Sequence, residues 1–159
     1  MPAVFQIVSH ASAKALSTAD FFIVSASASP TQSGNNIVQV TQNDQDPTQM
    51  WALTPQDFGN FLIQPFGSPD LAIGLPAEGE SNYPFYLVLN PVGDGIVWTI
   101  SPISPYYFLL AAIGNLDTVM DVPGGSHDDF QGIQIFTRNE HTNQQWTFLP
   151  IFAQLGNDG

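Results

Sequence analysis

Apolar residues in this chain fall in short runs, and none of the longer stretches repeats them at helical spacing. Phe61-Leu62-Ile63-Gln64 and Ile133-Gln134-Ile135-Phe136 are representative. Runs of this length, rich in β-branched and aromatic residues and bounded by turn formers, predict strands. The glycines and prolines, 13 of each, supply the punctuation between them. Strands are expected at Phe5–Ser9, Ala13–Ser17, Ile37–Thr41 and Gln49–Leu53 in the first part of the chain. The middle part adds Phe61–Gln64, Leu71–Pro76, Tyr86–Leu89 and Ile96–Ile100, with Asp94-Gly95 as a tight-turn signal. The last part opens at Tyr107–Ala111, continues through Ile133–Phe136 and closes at Trp146. The fold class is therefore all-β.

The pattern repeats. Trp51, Trp98 and Trp146 lie 47 and then 48 residues apart. Each opens a similar tail: Trp51-Ala52-Leu53-Thr54-Pro55, Trp98-Thr99-Ile100-Ser101-Pro102 and Trp146-Thr147-Phe148-Leu149-Pro150. A period of this size marks an array of equivalent units that share one core. The units run over about 4–55, 58–102 and 105–150, within a single domain spanning 1–159. Three units of four strands make twelve strands, and a closed barrel capped by three hairpins buries them with few exposed edges. The first unit is longer than the others. Its surplus is the Ser/Ala-rich stretch Ser25–Gly34, expected as an excursion from the common core. The tail from Phe152 is expected to fray.

The chain resembles the ricin-type β-trefoil lectins, in the cysteine-free form seen in mushrooms. The residues that carry the resemblance are the Gln-x-Trp repeats Gln49/Trp51 and Gln144/Trp146, with Ile96/Trp98 as a degenerate copy. The third unit adds Met-Asp-Val-Pro-Gly-Gly at 120–125 and Ile-Gln-Ile-Phe at 133–136. The resemblance spans nearly the whole chain and implies a β-trefoil. It also implies a non-catalytic carbohydrate-binding protein for galactose- or N-acetylgalactosamine-type glycans. A protein-binding trefoil, such as a protease inhibitor or an accessory subunit of tyrosinase, is the alternative on the same scaffold.

In that family an early Asp, a mid-unit aromatic and a late Asn hold the sugar. The matching residues here are Asp121, Phe136 and Asn143, with Gln134 and Gln144 as supporting amides. A carboxylate accepts strong bonds from vicinal hydroxyls, an aromatic ring packs on the C–H face of a pyranose, and an amide offers donor and acceptor. Structural roles compete: Asp121 before a Pro-Gly-Gly turn, Phe136 in the core, Asn143 in a turn. Gln144 and Trp146 favour structural roles, the Gln bonding backbone between units. Aligned on the closing Trp, the second unit has Gly74, Val88 and Gly95 at the three positions. The first unit has Ser17, Thr41 and Thr48. One site per chain is expected, in the third unit.

Composition narrows the partners. Lys14 and Arg138 face fourteen acids, for a net charge of −12. Such a surface repels phosphate, which argues against nucleic acid and against anionic membranes. There is no cysteine, so neither disulfides nor thiol chemistry arise. No cofactor is expected. His127-Asp128-Asp129 resembles a ligand cluster, but adjacent residues in a Gly-Ser loop rarely converge on one ion. His10, His127 and His141 have no spaced Ser or Cys partner, so no enzyme is expected. The N-terminal Met1–Gln6 shows no signal-peptide pattern and no run approaches membrane-spanning length. The expected compartment is the cytoplasm, or the exterior by a non-classical route. One shallow site implies millimolar to high-micromolar affinity, and a homodimer would supply avidity.

Overall fold

The computed structural model describes residues 4–19, 34–43, 45–76, 86–94, 96–112 and 115–151. The expected Ser25–Gly34 excursion, apart from Gly34, and the tail from Phe152 lie outside the described residues. Thirteen strands are present among those described: β1 Val4–Ser9, β2 Ala15–Ala19, β3 Asn36–Val40, β4 Trp51–Pro55, β5 Phe61–Pro65, β6 Leu71–Gly74 and β7 Val88–Pro91. They continue with β8 Trp98–Pro102, β9 Phe108–Ala112, β10 Asn115–Asp121, β11 Gln131–Gly132, β12 Gln134–Thr137 and β13 Trp146–Pro150. One strand exceeds expectation. It is the two-residue β11, which leaves the left-handed Phe130 and pairs with β3.

Six strands close on themselves. β1 pairs β4, β4 pairs β5, β5 pairs β8, β8 pairs β9, β9 pairs β13, and β13 returns to β1, all antiparallel. Closure leaves no barrel edge unpaired. The remaining strands form one hairpin per unit: β2–β3, β6–β7 and β10–β12. Each Trp begins its unit's closing strand, and in the first and third units a turn takes up the residues before it. Pro47–Gln49 and Thr142–Gln144 are single 3-10 turns, so the closing strands start at Trp51 and Trp146, two residues later than the Gln-x-Trp motif begins.

The three hairpins meet in a cycle of backbone bonds. Ile37 N donates to Leu87 O at 3.0 Å, Leu87 N to Ile133 O at 2.8 Å, and Ile133 N to Ile37 O at 2.9 Å. Such a ring relates the three residues as equivalent positions about a pseudo-threefold axis. Below it the core is built in matching sets. Ile7, Ile63 and Leu110 come from the opening strands, Leu16, Ile73 and Met120 from the next, and the three indoles from the last. All are fully buried. Each indole removes roughly 150–250 Å² from water, worth about 4–6 kcal/mol at ~25 cal/mol per Å².

The indole nitrogens report how regular each unit is. Trp51 Nε1 donates to Leu16 O at 3.0 Å and Trp146 Nε1 to Met120 O at 3.1 Å. The equivalent acceptor in the second unit is Ile73 O, but Ile96 N takes it at 3.0 Å. Trp98 Nε1 is left as a buried donor without a partner among the described residues. Ile96 stands where the other units carry the motif Gln, whose backbone N–H closes a 3-10 turn instead. This is the structural content of the degenerate copy.

Candidate functional site

The third unit gathers the expected residues on one face. β10 ends at Asp121, directly opposite Gln134 of β12. Phe136 lies two residues further along β12, so the strand's alternation puts it on the same face. After Asp121 the chain turns sharply through Pro123–Gly125, with Gly124 and Gly125 at φ +61° and +66°. That left-handed pair is cheap only for glycine. The turn is tied to the next element by Val122 N donating to Asn143 O at 2.9 Å. Asn143 thereby arrives beside Asp121.

Asp121 is only 2% exposed. A buried carboxylate needs compensation, and three amide N–H groups provide it. Gln134 Nε2 donates to Oδ1 at 2.9 Å, and Gln144 Nε2 and Asn143 Nδ2 donate to Oδ2 at 2.9 and 3.2 Å. A carboxylate offers about four lone-pair positions. About one is left, at the rim where Asp121 borders a hollow of about 590 Å³. The sequence had suggested a clamp on two hydroxyls; the amides have taken most of that capacity.

The other predicted residues divide. Phe136 is 49% exposed and borders the hollow, outside the core sets. Asn143 also borders it. Its second N–H goes to Val122 O at 3.0 Å, so what it retains is its carbonyl oxygen as an acceptor. Gln134 lines the hollow and orients Asp121. Gln144 is fully buried beneath. Its Nε2 serves Asp121 and Thr137 O, and its Oε1 accepts from Asn139 N at 2.8 Å and Glu140 N at 3.3 Å. Its hydrogen-bonding capacity is spent on the protein. The partners also correct the sequence expectation for this Gln: they lie within its own unit, not between units. Gln49 repeats the arrangement with Thr41 O and Asn43 N.

The sequence missed three of the lining residues. Asn139, His141 and Thr142 line the hollow, with Gly124 and Gly125 on the rim. All three stand in the stretch joining β12 to β13. Their only signal was position, between the expected aromatic and the expected Asn.

Strand register revises the alignment of the other units. Gly74 and Ser17 do match Asp121, but they pair with Val88 and Val38, which therefore match Gln134. The Phe136 position is held by Asn90 and Val40, not by Val88 and Thr41. Counting back from the Trp misplaced them because the joining stretch differs in length between units. In the second unit a Cβ on Gly74 would lie 2.5 Å from Asn90 Nδ2. Asn90 fills that space, donating to Leu75 O at 2.7 Å and Asp94 O at 3.3 Å. In the first unit Ser17 Oγ and Thr48 Oγ1 are 2.9 Å apart, a hydroxyl version of the Asp121–Asn143 pair.

Lys14 and Asp129 form an ion pair at 2.8 Å away from the hollow. The Lys14 ammonium and the Thr41 hydroxyl hold the Asp129 carboxyl below the usual carboxylate range. Asp129 of the His127-Asp128-Asp129 run thus ties the third unit to the first.

Solved structures share this architecture. A designed threefold-symmetric protein, ThreeFoil, matches with a TM-score of 0.71 at 19% identity over 92% of this chain and 97% of that one. The fold is a β-trefoil. A ricin B-like lectin of Macrolepiota procera, solved with lactose, matches with a TM-score of 0.65 at 17% identity, over 91% of this chain and 93% of that one. The C-half of an earthworm R-type lectin, solved with GalNAc, gives 0.64 at 16% identity, over 94% and 99%. No family model and no curated protein matches the sequence.

Proposed function

We propose that this β-trefoil is a lectin that binds galactose-type glycans by equilibrium, through the third-unit hollow. One observation carries the reading: a nearly buried carboxylate, oriented by three amides, faces an open hollow beside a half-exposed aromatic ring. A folding role alone would not require the ring of Phe136 to stand in solvent next to it. The remaining lone pair of Asp121 and the carbonyl of Asn143 accept sugar hydroxyls, and Phe136 covers the apolar face of the ring. The galactose type rests on the lectins of the same fold that were solved with lactose and GalNAc. A homodimer would raise the avidity of a single weak site.

The test is retention on a lactose matrix and elution by free galactose, for wild type, Asp121→Asn and Phe136→Ala. A hydrogen bond to a charged group is worth roughly 1.5–3 kcal/mol. Taken from a site of about −5 kcal/mol, that loss removes retention. Both variants should pass through unretained; Phe136→Ala should keep its melting temperature, whereas Asp121→Asn should melt lower while staying folded, because its amide NH2 group would face one of the amide donors that the carboxylate accepts from. Wild-type flow-through, or full retention of Asp121→Asn, would refute this site and turn attention to a protein partner.

A further inference from the structure

Resting on that reading, we propose that Gln39 of the first unit is a positioning residue for the third-unit hollow: it fixes the loop that leaves the glycine rim and, through the rim, Asn143. Strand register makes Gln39 equivalent to Leu89 and Ile135, because Val38, Val88 and Gln134 match one residue earlier. Leu89 belongs to the core and Ile135 packs against it. Gln39 is the polar exception, and it is fully buried. A buried amide costs stability unless its hydrogen bonds are made. An aliphatic side chain serves folding at this place in the other two units, so the amide calls for another reason.

Gln39 spends its bonds on one segment of the third unit. Its Nε2 donates to Ser126 O at 2.8 Å and to Asp128 O at 2.9 Å. Its backbone carbonyl accepts from Phe130 N at 2.7 Å. Ser12 Oγ donates to its Oε1 at 2.8 Å, which keeps the amide from turning over. Between these anchors Asp129 accepts from Thr41 N at 2.7 Å and from Lys14 Nζ at 2.8 Å. The stretch 126–130 is thus tied to the first unit at four of its five residues. Ser126 directly follows the rim pair Gly124–Gly125, which lines the hollow. Two glycines in a row have little stiffness of their own, so their flanks set where the rim stands. On one flank Val122 N donates to Asn143 O and Asn143 Nδ2 to Val122 O. On the other stands Ser126, held by Gln39. Gly125 lies against Asn143, whose Cβ is 3.9 Å from where a side chain on Gly125 would begin. A shift of Ser126 therefore passes through Gly125 to the Asn143 carbonyl, one of the two acceptors assigned to the sugar. A site whose supporting shell is fully bonded loses less freedom on binding.

The experiment is titration calorimetry of the full chain with lactose, alongside thermal melting and the NMR amide signals of Gly124 and Gly125. It compares wild type, Gln39→Leu, Asp129→Ala and Gln49→Ala. Gln39→Leu carries the second unit's side chain at this place. The two carbonyls it frees lie where water reaches them, Asp128 being exposed and Ser126 half-buried, so it should melt close to wild type. It should nevertheless bind lactose several-fold more weakly and shift or broaden the two glycine signals. Asp129→Ala changes an exposed residue, leaves the core untouched and should do the same by a smaller factor. Gln49→Ala should melt lower yet keep wild-type affinity, which separates positioning from stability. Wild-type lactose affinity in both Gln39→Leu and Asp129→Ala overturns the positioning role while leaving the lectin reading intact. A weakening that Gln49→Ala matches does the same. Should Gln39→Leu fail to fold, Asp129→Ala decides alone. No sugar binding by folded wild type overturns both.

Discussion

Gln144→Ala separates bracing from binding. The side chain is fully buried and makes four hydrogen bonds at 2.8 to 3.3 Å, to Asp121, Thr137, Asn139 and Glu140. A typical bond contributes a net ~1 kcal/mol, and a buried group left without its partner costs ~1–3 kcal/mol. Asn139 and Glu140 are exposed and can recover bonds from water. The loss at Asp121 and Thr137 and the small cavity remain. The expected cost is about 2–4 kcal/mol, which at this chain length lowers Tm by roughly 5–15 °C. Gln49 is the natural control. It is equally buried and makes the corresponding bonds in the first unit, including one from Gln6 Nε2 at 3.1 Å. Gln49→Ala should lower Tm by a similar amount, yet leave sugar binding as in wild type. Gln144→Ala should also weaken binding, by about tenfold or ~1.4 kcal/mol, because Asp121 and the Asn139–Glu140 backbone loosen together. Thermal melts by circular dichroism and calorimetric titration measure the two effects. Melting of Gln144→Ala within about 2 °C of wild type would refute the bracing argument. Equal loss of binding in Gln49→Ala would refute its local character.

Three other outcomes follow from particular residues. Trp98→Phe should cost less stability than Trp51→Phe or Trp146→Phe, by about 1 kcal/mol, because only the second-unit indole has no hydrogen bond to lose; equal melts would contradict this. Phe58 is 99% exposed at φ +61°, so Phe58→Gly should raise stability by up to about 1–2 kcal/mol through relief of left-handed strain, read by denaturant midpoint; a clear loss would show that the ring packs on something. Asp129 has a lowered pKa in the folded protein, so its contribution is present above the unfolded value near 3.8 and is lost as pH falls through the folded one. Asp129→Asn should therefore be less stable at neutral pH, by under ~1 kcal/mol for so exposed a pair, with the difference vanishing as pH falls through the lowered folded value.

The fold was legible because it is written three times. The spacing of Trp51, Trp98 and Trp146 identified the units, and these indoles form one buried set in the structure. Strand starts were less legible, since a 3-10 turn and a strand share the same local residues around Gln49 and Gln144. At the site, Asp121 and Phe136 were visible only through the resemblance to ricin-type lectins, which implies a carboxylate and a ring at these positions. How they divide their bonds was not visible. That Asp121 is mostly consumed by amides, and that Asn143 keeps only its acceptor, depends on side-chain directions that no spacing encodes. The vacated second unit was legible at Gly74 but not at Asn90, because only the strand register shows which residue moves into the space.

The central claim is that the third-unit hollow is where sugar binds. A crystal structure of the protein soaked with lactose tests it most directly. A galactose ring should lie over Phe136, with one hydroxyl within hydrogen-bonding distance of the Asp121 carboxylate and another on the Asn143 carbonyl. Lactose seated instead at Ser17 and Thr48, or an empty hollow at a sugar concentration that saturates the protein in solution, would contradict it.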